Sequence, residues 1–463
     1  MKKIYITLTL LLALALTGCK SLYGKYERPA VTTSGLVRDS LSALDTLQVN
    51  DTTTLASVPW RSVFTDPHLQ SLIEQGLAHN FNLLNAALNV QMAEAQLKAA
   101  KLSFLPSFNF TPQGTISSWD GNKASKTYSL PVTASWNVDL FGNLLSQKRA
   151  AQVALLQAKD YQLSVQTSLV AGIANLYYTL LMLDRQMELL NDMEGLTKDT
   201  WEKMKLMKDG MRGYRSTAVQ AAESNYYSVL TKKTDFERQI REMENTLSLL
   251  IGQQAHAIAR GRLEEQSLPT NLSTGLGIQL LRNRPDIHAA EMALAGCFYN
   301  VETARSRFYP GLNISASGIF TNSGGGMITN PGKWLLNAVA SLVQPIFQNG
   351  RLTAGLKVAK AQYQQAYNNW QNAILSAGSE VSNALVLYNS SAKKSAIEEK
   401  QIAVLKQNVI DTRELMMMST PTYLEVIQAQ STLLNVELAK VADDFSKMQA
   451  VVNLYQALGG GVK

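Results

Sequence analysis

From Thr127 to Leu140 polar and apolar residues alternate without a miss: the even positions read Tyr, Leu, Val, Ala, Trp, Val, Leu and the odd ones Thr, Ser, Pro, Thr, Ser, Asn, Asp. A sustained period of two predicts a strand with one apolar face. Phe108 and Phe110 open a weaker run that reaches Trp119, and the polar stretch 120–125 would turn one strand into the other. The second half repeats this. Leu312, Ile314, Ala316, Gly318 and Phe320 alternate with polar residues, a glycine-rich loop is expected from Thr321 to Lys333, and Trp334 to Ile346 forms the return strand.

Elsewhere the period is helical. Asp66 is placed to cap a helix with Pro67 in its first turn, and Leu69, Leu72, Ile73, Leu77, Leu84, Leu88 and Met92 carry it toward Leu102. Alternating spacings of four and three run through Leu169, Ile173, Leu176, Leu180, Leu183, Met187 and Leu190. They recur from Val219 to Leu250, with Lys233 as the charged exception, and from Leu424 to Tyr455. Such 3.5-residue repeats predict helices that wind against neighbours. A helix from Leu144 to about Met207 would extend roughly 95 Å at 1.5 Å per residue, a length a globular enzyme does not need.

Two segments join the patterns, KLSFLPSFN at Lys101–Asn109 and RSRFYPGLN at Arg305–Asn313. Proline disfavours helix before it, so Pro106 and Pro310 are read as helix-to-strand joints. The chain then divides into a signal segment (1–18), an anchor and extended leader (19–64), a helix (65–106), a strand pair (107–141) and a helical hairpin (142–252). A polar connector (253–285) leads to a second helix (286–310), strand pair (311–347) and hairpin (348–458), and a tail (459–463). The fold expected is mainly α with a membrane β-barrel, internally duplicated, with four strands per chain. Strands of about 13 residues at roughly 3.3 Å each cover a bilayer when tilted. Trp119, Trp136 and Trp334 are expected near strand ends, where interfacial aromatics belong. Four strands cannot close a barrel, and open edges in lipid leave backbone groups unpaired, so further copies must complete the wall: two copies give eight strands and three give twelve.

The amino terminus changes the picture of location. Met1–Lys3 is basic, Ile4–Leu16 mostly apolar, and Leu16-Thr17-Gly18-Cys19 follows. This resembles the bacterial lipobox, which implies cleavage before Cys19 and lipid on its sulfur and new amino group. The other cysteine, Cys297, sits in a helical pattern and reads as a buried structural thiol. Lys plus Arg number 43 against 36 Asp plus Glu; the excess could face a membrane leaflet or line a pore.

No constellation for catalysis is present. The histidines His68, His79, His256 and His288 stand far apart with no metal-ligand spacing, and neither a phosphate loop nor a nucleophile elbow occurs. No cofactor is expected. Basic runs with interleaved aromatics are lacking, so nucleic acid is not an expected partner. A non-conducting structural coiled-coil lipoprotein of the envelope would explain the helices but not the paired strands.

Several segments carry a family resemblance: Asp66–Leu83, RPDIHAAEMAL at Arg284–Leu294, both proline joints, YLEVIQAQSTLL at Tyr423–Leu434 and LYQALGGG at Leu454–Gly461. Together they resemble the TolC-type outer-membrane efflux ducts, in the lipid-anchored OprM-like or NodT-like branch, over Trp60–Val462. The resemblance implies a homotrimer with a shared twelve-stranded barrel in outer-membrane lipid, a long periplasmic coiled-coil tunnel, and an equatorial belt. It also implies a periplasmic adaptor and an inner-membrane RND-type pump as partners, or alternatively an ATP-driven type I secretion system. The hairpin tips would meet the adaptor: Gly210, Gly213, Tyr214, Arg215 and Ser216 in the first, Met416, Met417, Met418, Ser419 and Thr420 in the second. The methionine run reads equally as tip packing or as an adaptable docking surface. Positions matching a constriction ring in similar proteins are Glu425 and Gln428, of which only the first is acidic, and Arg413 joins them as a gate candidate. Met416 and Pro421 stand where some relatives carry a clamping tyrosine and arginine. Glu425 reads equally as a solvated helix-face carboxylate.

Overall fold

The computed structural model describes residues 24–31, 36–37, 55, 58–118, 120–121, 123–210, 216–269, 283–324, 327–418 and 423–461. In order these form α1 (Pro67–His79), α2 (Phe81–Leu102), β1 (Ser107–Phe110), β2 (Gln113–Ser117), β3 (Ser125–Val138), α3 (Asn143–Gly210) and α4 (Ser216–Leu250). The second half supplies α5 (Pro285–Ser306), β4 (Gly311–Gly324), β5 (Met327–Val343), α6 (Arg351–Met418) and α7 (Tyr423–Ala457). Two compact units result: one holds the sheet and the helix ends beside it, the other the hairpins and the connector.

Corresponding helices in the two halves are equal in length: α2 and α5 have 22 residues each, α3 and α6 have 68, and α4 and α7 have 35. Each half also enters and leaves the sheet in the same way. A strand begins one residue after Pro106 and after Pro310. The Phe104 carbonyl accepts from Trp136 Nε1 at 2.9 Å, and the Phe308 carbonyl accepts from Gln344 Nε2 at 2.9 Å. Gly142 (φ 71°) and Gly350 (φ 75°) each turn the chain from strand into the next helix, in the left-handed region that side chains disfavour.

The sheet is antiparallel, with β3 and β4 central; β1 and β2 pair with one side of β3, and β5 pairs with β4. Its register aligns the apolar positions. Residues opposite one another across β3, β4 and β5 form the rows Val138–Leu312–Leu342, Trp136–Ile314–Ala340, Ala134–Ala316–Ala338, Val132–Gly318–Leu336 and Leu130–Phe320–Trp334. The alternate rows are mostly polar, as in Asn137–Asn313–Ser341 and Thr133–Ser317–Asn337.

Several expectations need correction. The predicted first helix is two, because Asn80 breaks it. The Asn80 side chain donates to the Leu250 carbonyl at 2.8 Å and accepts from the Leu83 amide at 3.0 Å, so it closes α1 and caps α2. The predicted first strand is also two, interrupted at Thr111-Pro112, where proline has no amide to offer the ladder. The glycine-rich loop shrinks, since Thr321 pairs with Lys333 and Ser323 with Ile328 across a bulge. That lengthening puts Trp334 within β5, opposite Phe320, and not at a strand end; Trp119 lies outside the described residues. Cys297 is only half-buried.

In the hairpin unit the 3.5-residue faces become core. Ile173, Tyr177, Leu180 and Leu181 of α3 pack with Leu247, Val381, Leu385, Val452 and Tyr455, and with Trp60, Phe64, Leu69 and Ile73 before and in α1. Lys233, the charged exception, pairs with Glu194 of α3 at 3.0 Å. Near the α7 start the buried face is Val426, Ala429 and Leu433, whereas Leu424 is exposed.

Asp66 caps α1 through Oδ1, which accepts from the His68 amide at 2.8 Å, with Pro67 next. Its Oδ2 accepts from the Tyr177 hydroxyl at 2.6 Å and from Gln266 Nε2 at 2.7 Å. Burial works against this charge, yet the bonds from Tyr177, Gln266 and the backbone hold the carboxyl below its ordinary value. A depressed carboxyl adds stability above its unfolded pKa of about 4 and loses it as pH falls through the lower folded value. Asp66→Asn turns an amide donor toward Gln266 and is expected to cost about 1–2 kcal/mol at neutral pH. Denaturant unfolding followed against pH should show that this deficit narrows in acid; a deficit constant down to the acid limb contradicts the assignment.

Candidate functional site

The sheet and the hairpin ends are the two candidate working parts. In the sheet, the side chains of the apolar rows have no covering layer among the described residues: Trp334, Leu336 and Leu342 are between 64% and 78% exposed. A soluble domain would bury such a face against another layer. The five rows from Leu130 to Val138 cover about 26 Å along the strand at roughly 3.3 Å per residue. With strands tilted by about 40° the rows span about 20 Å along the membrane normal, most of the apolar band of a membrane barrel wall, and the polar alternate rows suit a wet interior. No described helix is long and apolar enough to cross a membrane, which bears on helices and not on the sheet.

At the hairpin ends, α3 stops at Gly210, α4 starts at Ser216, α6 ends at Met418 and α7 starts at Tyr423. Gly213, Tyr214, Arg215, Ser419 and Thr420 lie outside the described residues, as does Cys19. Met416 is buried with Met204, Ala222 and Val426, in a cluster that joins the two hairpins. Met417 and Met418 are exposed. The methionine run is therefore split between packing and surface.

Of the gate candidates, Arg413 is paired. Its guanidinium donates to Asp199 Oδ2 on α3, and the same carboxylate takes Lys203 Nζ at 2.9 Å. Next to it, Gln430 of α7 is fully buried and donates through Nε2 to Thr200 Oγ1 at 2.7 Å, while its carbonyl oxygen has no partner among the described residues. Glu425 is exposed in the first turn of α7, where a carboxylate suits the helix dipole. Gln428 is exposed and donates to Thr432 at 3.2 Å. Arg413 is thus held on a neighbouring helix, and no bond joins it to Glu425 or Gln428 among the described residues.

Sequence reasoning missed Asp199, Thr200 and Gln430, because heptad patterns mark faces and not partners. It also missed why two of its motifs occur together. Arg284, nearly buried, donates to Asp286 at 3.0 and 2.6 Å, to Glu380 at 2.6 Å and to the Ala457 carbonyl at 3.0 Å. Gly459, left-handed at φ 89°, lies so close to the Asn283 carbonyl that a side chain would strike it. The RPD and LYQALGGG segments dock on each other.

Among the described residues no cluster of acids, histidines or cysteines could hold a metal ion. Charged side chains are engaged in structural pairs such as Arg260 with Asp184 and Glu244.

Comparison with known proteins agrees with this geometry. The family model described as "Outer membrane efflux protein" matches residues 72–253 and 276–460. The chain is 29% identical to the cation efflux system protein CusC of Escherichia coli K12, covering 97% of this chain and 98% of that protein. It is 26% identical to the probable outer membrane lipoprotein SilC of Salmonella typhimurium, over 96% of each. Among solved structures, the open state of the Neisseria gonorrhoeae MtrE outer membrane channel superposes with a TM-score of 0.83 at 25% identity, covering 95% of this chain and 98% of that one. With a matched family model over most of the chain and an uncovered apolar sheet face, the protein belongs to the outer membrane efflux protein family and is an outer-membrane channel component of an efflux system, not an enzyme.

Proposed function

We propose that three copies of this chain form a closed duct whose wall is a twelve-stranded barrel and whose stem is a coiled-coil tunnel ending in a periplasmic gate. The observation that carries the reading is the sheet: four strand positions, one apolar face and two open edges. An open edge in lipid is prohibitive, so β5 of one copy pairs with the β1–β2 side of the next. The equal helix lengths and matching joints of the two halves support an internally duplicated chain. Cys19 is read as the lipid attachment site, consistent with a relative named as a lipoprotein.

The tips Gly210–Ser216 and Met417–Thr420 are the docking surface for a periplasmic adaptor, with Met416 packed beneath, and an inner-membrane pump of the RND type drives the substrate. Glu425, Gln428 and Arg413 belong to the gate, which opens when the hairpin from Arg413 to Glu425 swings outward. The duct is passive; its own residues guide and confine.

Conductance of the purified oligomer across a planar bilayer tests the whole reading. Discrete channels are expected, rare in the wild type and frequent once the tips are loosened. Silence from both would favour a structural lipoprotein. A second expectation concerns the iris: cysteines introduced at Met418 and cross-linked between copies should abolish efflux in cells while trimers stay intact on a gel. Efflux that survives cross-linking contradicts the swing.

A further inference from the structure

We infer that the joint between helix and strand holds an anionic phospholipid of the periplasmic leaflet; this rests on the reading of the sheet as a barrel wall. A cavity of about 360 Å³ opens there, between the end of β3, the start of α3, the end of α5 and the start of β4. Phe141 and Tyr309 stack in its lining at 5.1 Å with 17° between the rings. Val138 and Leu312, which also line it, form the lowest row of the apolar sheet face. The cavity is therefore continuous with the surface assigned to lipid.

Its carboxylate and side-chain amides are already occupied. Asp139 accepts from the Leu144 and Leu145 amides at 3.1 and 2.8 Å, which neutralises the α3 terminus as an anion site. Asn143 donates to Ser306 at 2.7 Å, and Asn313 to Asn137 at 2.7 Å. Arg307 lines the cavity and has no ion-pair or hydrogen-bond partner among the described residues. The one unspent charge in this apolar pocket is a cation, so the fitting ligand has an anionic head and a hydrocarbon tail.

A second observation points the same way. Counting the twelve residues flanking the sheet at each of its four helix-side ends (95–106, 139–150, 299–310 and 344–355), seven are basic and only Asp139 and Glu302 are acidic. The cations come from all four flanks, with Lys101, Arg149, Arg307 and Arg351 among them, and Glu302 is taken by Arg305 at 2.6 Å. A basic belt at one edge of an apolar band attracts acidic head groups within a Debye length of the surface.

The test uses the purified oligomer in detergent, mixed with phosphatidylglycerol, phosphatidylcholine or inorganic phosphate, with retained lipid counted by mass spectrometry and the unfolding midpoint recorded. Phosphatidylglycerol should be retained in preference and raise the midpoint. Arg307→Ala should lower that retention about fivefold, the effect expected of one basic residue at a membrane surface, while planar-bilayer conductance stays normal. Equal retention of both lipids, equal retention by Arg307→Ala, or a midpoint raised as much by phosphate alone overturns the proposal. Retention of no lipid, as when a neighbouring copy fills the pocket, also overturns it. Loss of conductance in the wild type would instead strike the barrel reading, so the two failures are distinguishable.

Discussion

Arg260→Ala is expected to lower the free energy of unfolding by about 3–5 kcal/mol, because it leaves a buried carboxylate without its cation. The Arg260 guanidinium donates to Asp184 at 2.5 and 2.9 Å, to Glu244 at 2.7 Å and to the Ile258 carbonyl at 2.9 Å. It thereby ties the connector to α3 and α4 at once. The two acids differ in consequence: the Asp184 side chain is 36% exposed and can return to water, whereas that of Glu244 is 8% exposed and cannot. Glu244 should therefore account for most of the loss, and Glu244→Gln placed in the Arg260→Ala background should recover much of it. Urea unfolding of the detergent-purified single and double variants checks this; a deficit that Glu244→Gln leaves unchanged in the Arg260→Ala background would sink the explanation.

That ion-pair network shows where sequence reasoning stops. Patterns of period two and 3.5 identified α3, α4, α7 and the apolar sheet face, because burial of a repeated face is what those periods encode, whereas α6 was expected only because the second half repeats the first. Asp66 as a cap and the two proline joints were legible for the same local reason. Breaks within elements were less so: Asn80 ends α1 through a bond to Leu250, 170 residues away. The start of α7 slipped by a position, with Val426 and Ala429 buried in place of Leu424. A straight helix of 3.6 residues per turn drifts from a 3.5 repeat, so the face assigned at one end need not hold at the other. Partners such as Arg413 and Asp199, 214 residues apart, leave no periodic trace. Single charges on long helices are the commonest surface residues, and nothing in their spacing marks which are paired.

The Arg413–Asp199 pair leads to the largest functional effect expected of one substitution. Within one copy it fastens α6, next to the second tip, onto α3 of the first hairpin. Both side chains are partly exposed, at 29% and 43%, so solvent screening limits the pair to about 1 kcal/mol or less. Asp199 keeps Lys203 when Arg413 is lost, so no charge is stranded and the fold should survive. One kcal/mol is about fivefold in the ratio of open to closed tips, and in the proposed three-copy duct, with its tips opening together, the factor multiplies to roughly a hundredfold. Arg413→Ala is therefore expected to raise open probability in planar bilayers by up to that amount, and to admit large antibiotics in whole cells, with trimers intact. Arg413→Lys keeps the charge and should keep the pore shut. Gln430 supplies the opposite handle. Its buried carbonyl lacks a partner, so Gln430→Leu exchanges a half-satisfied amide for an apolar side chain and should cost little or even tighten the closed hairpins. Opening by Arg413→Ala that Gln430→Leu reduces would place the latch across these helices. Open probability unchanged by Arg413→Ala would make the pair a stabilising contact with no part in the gate.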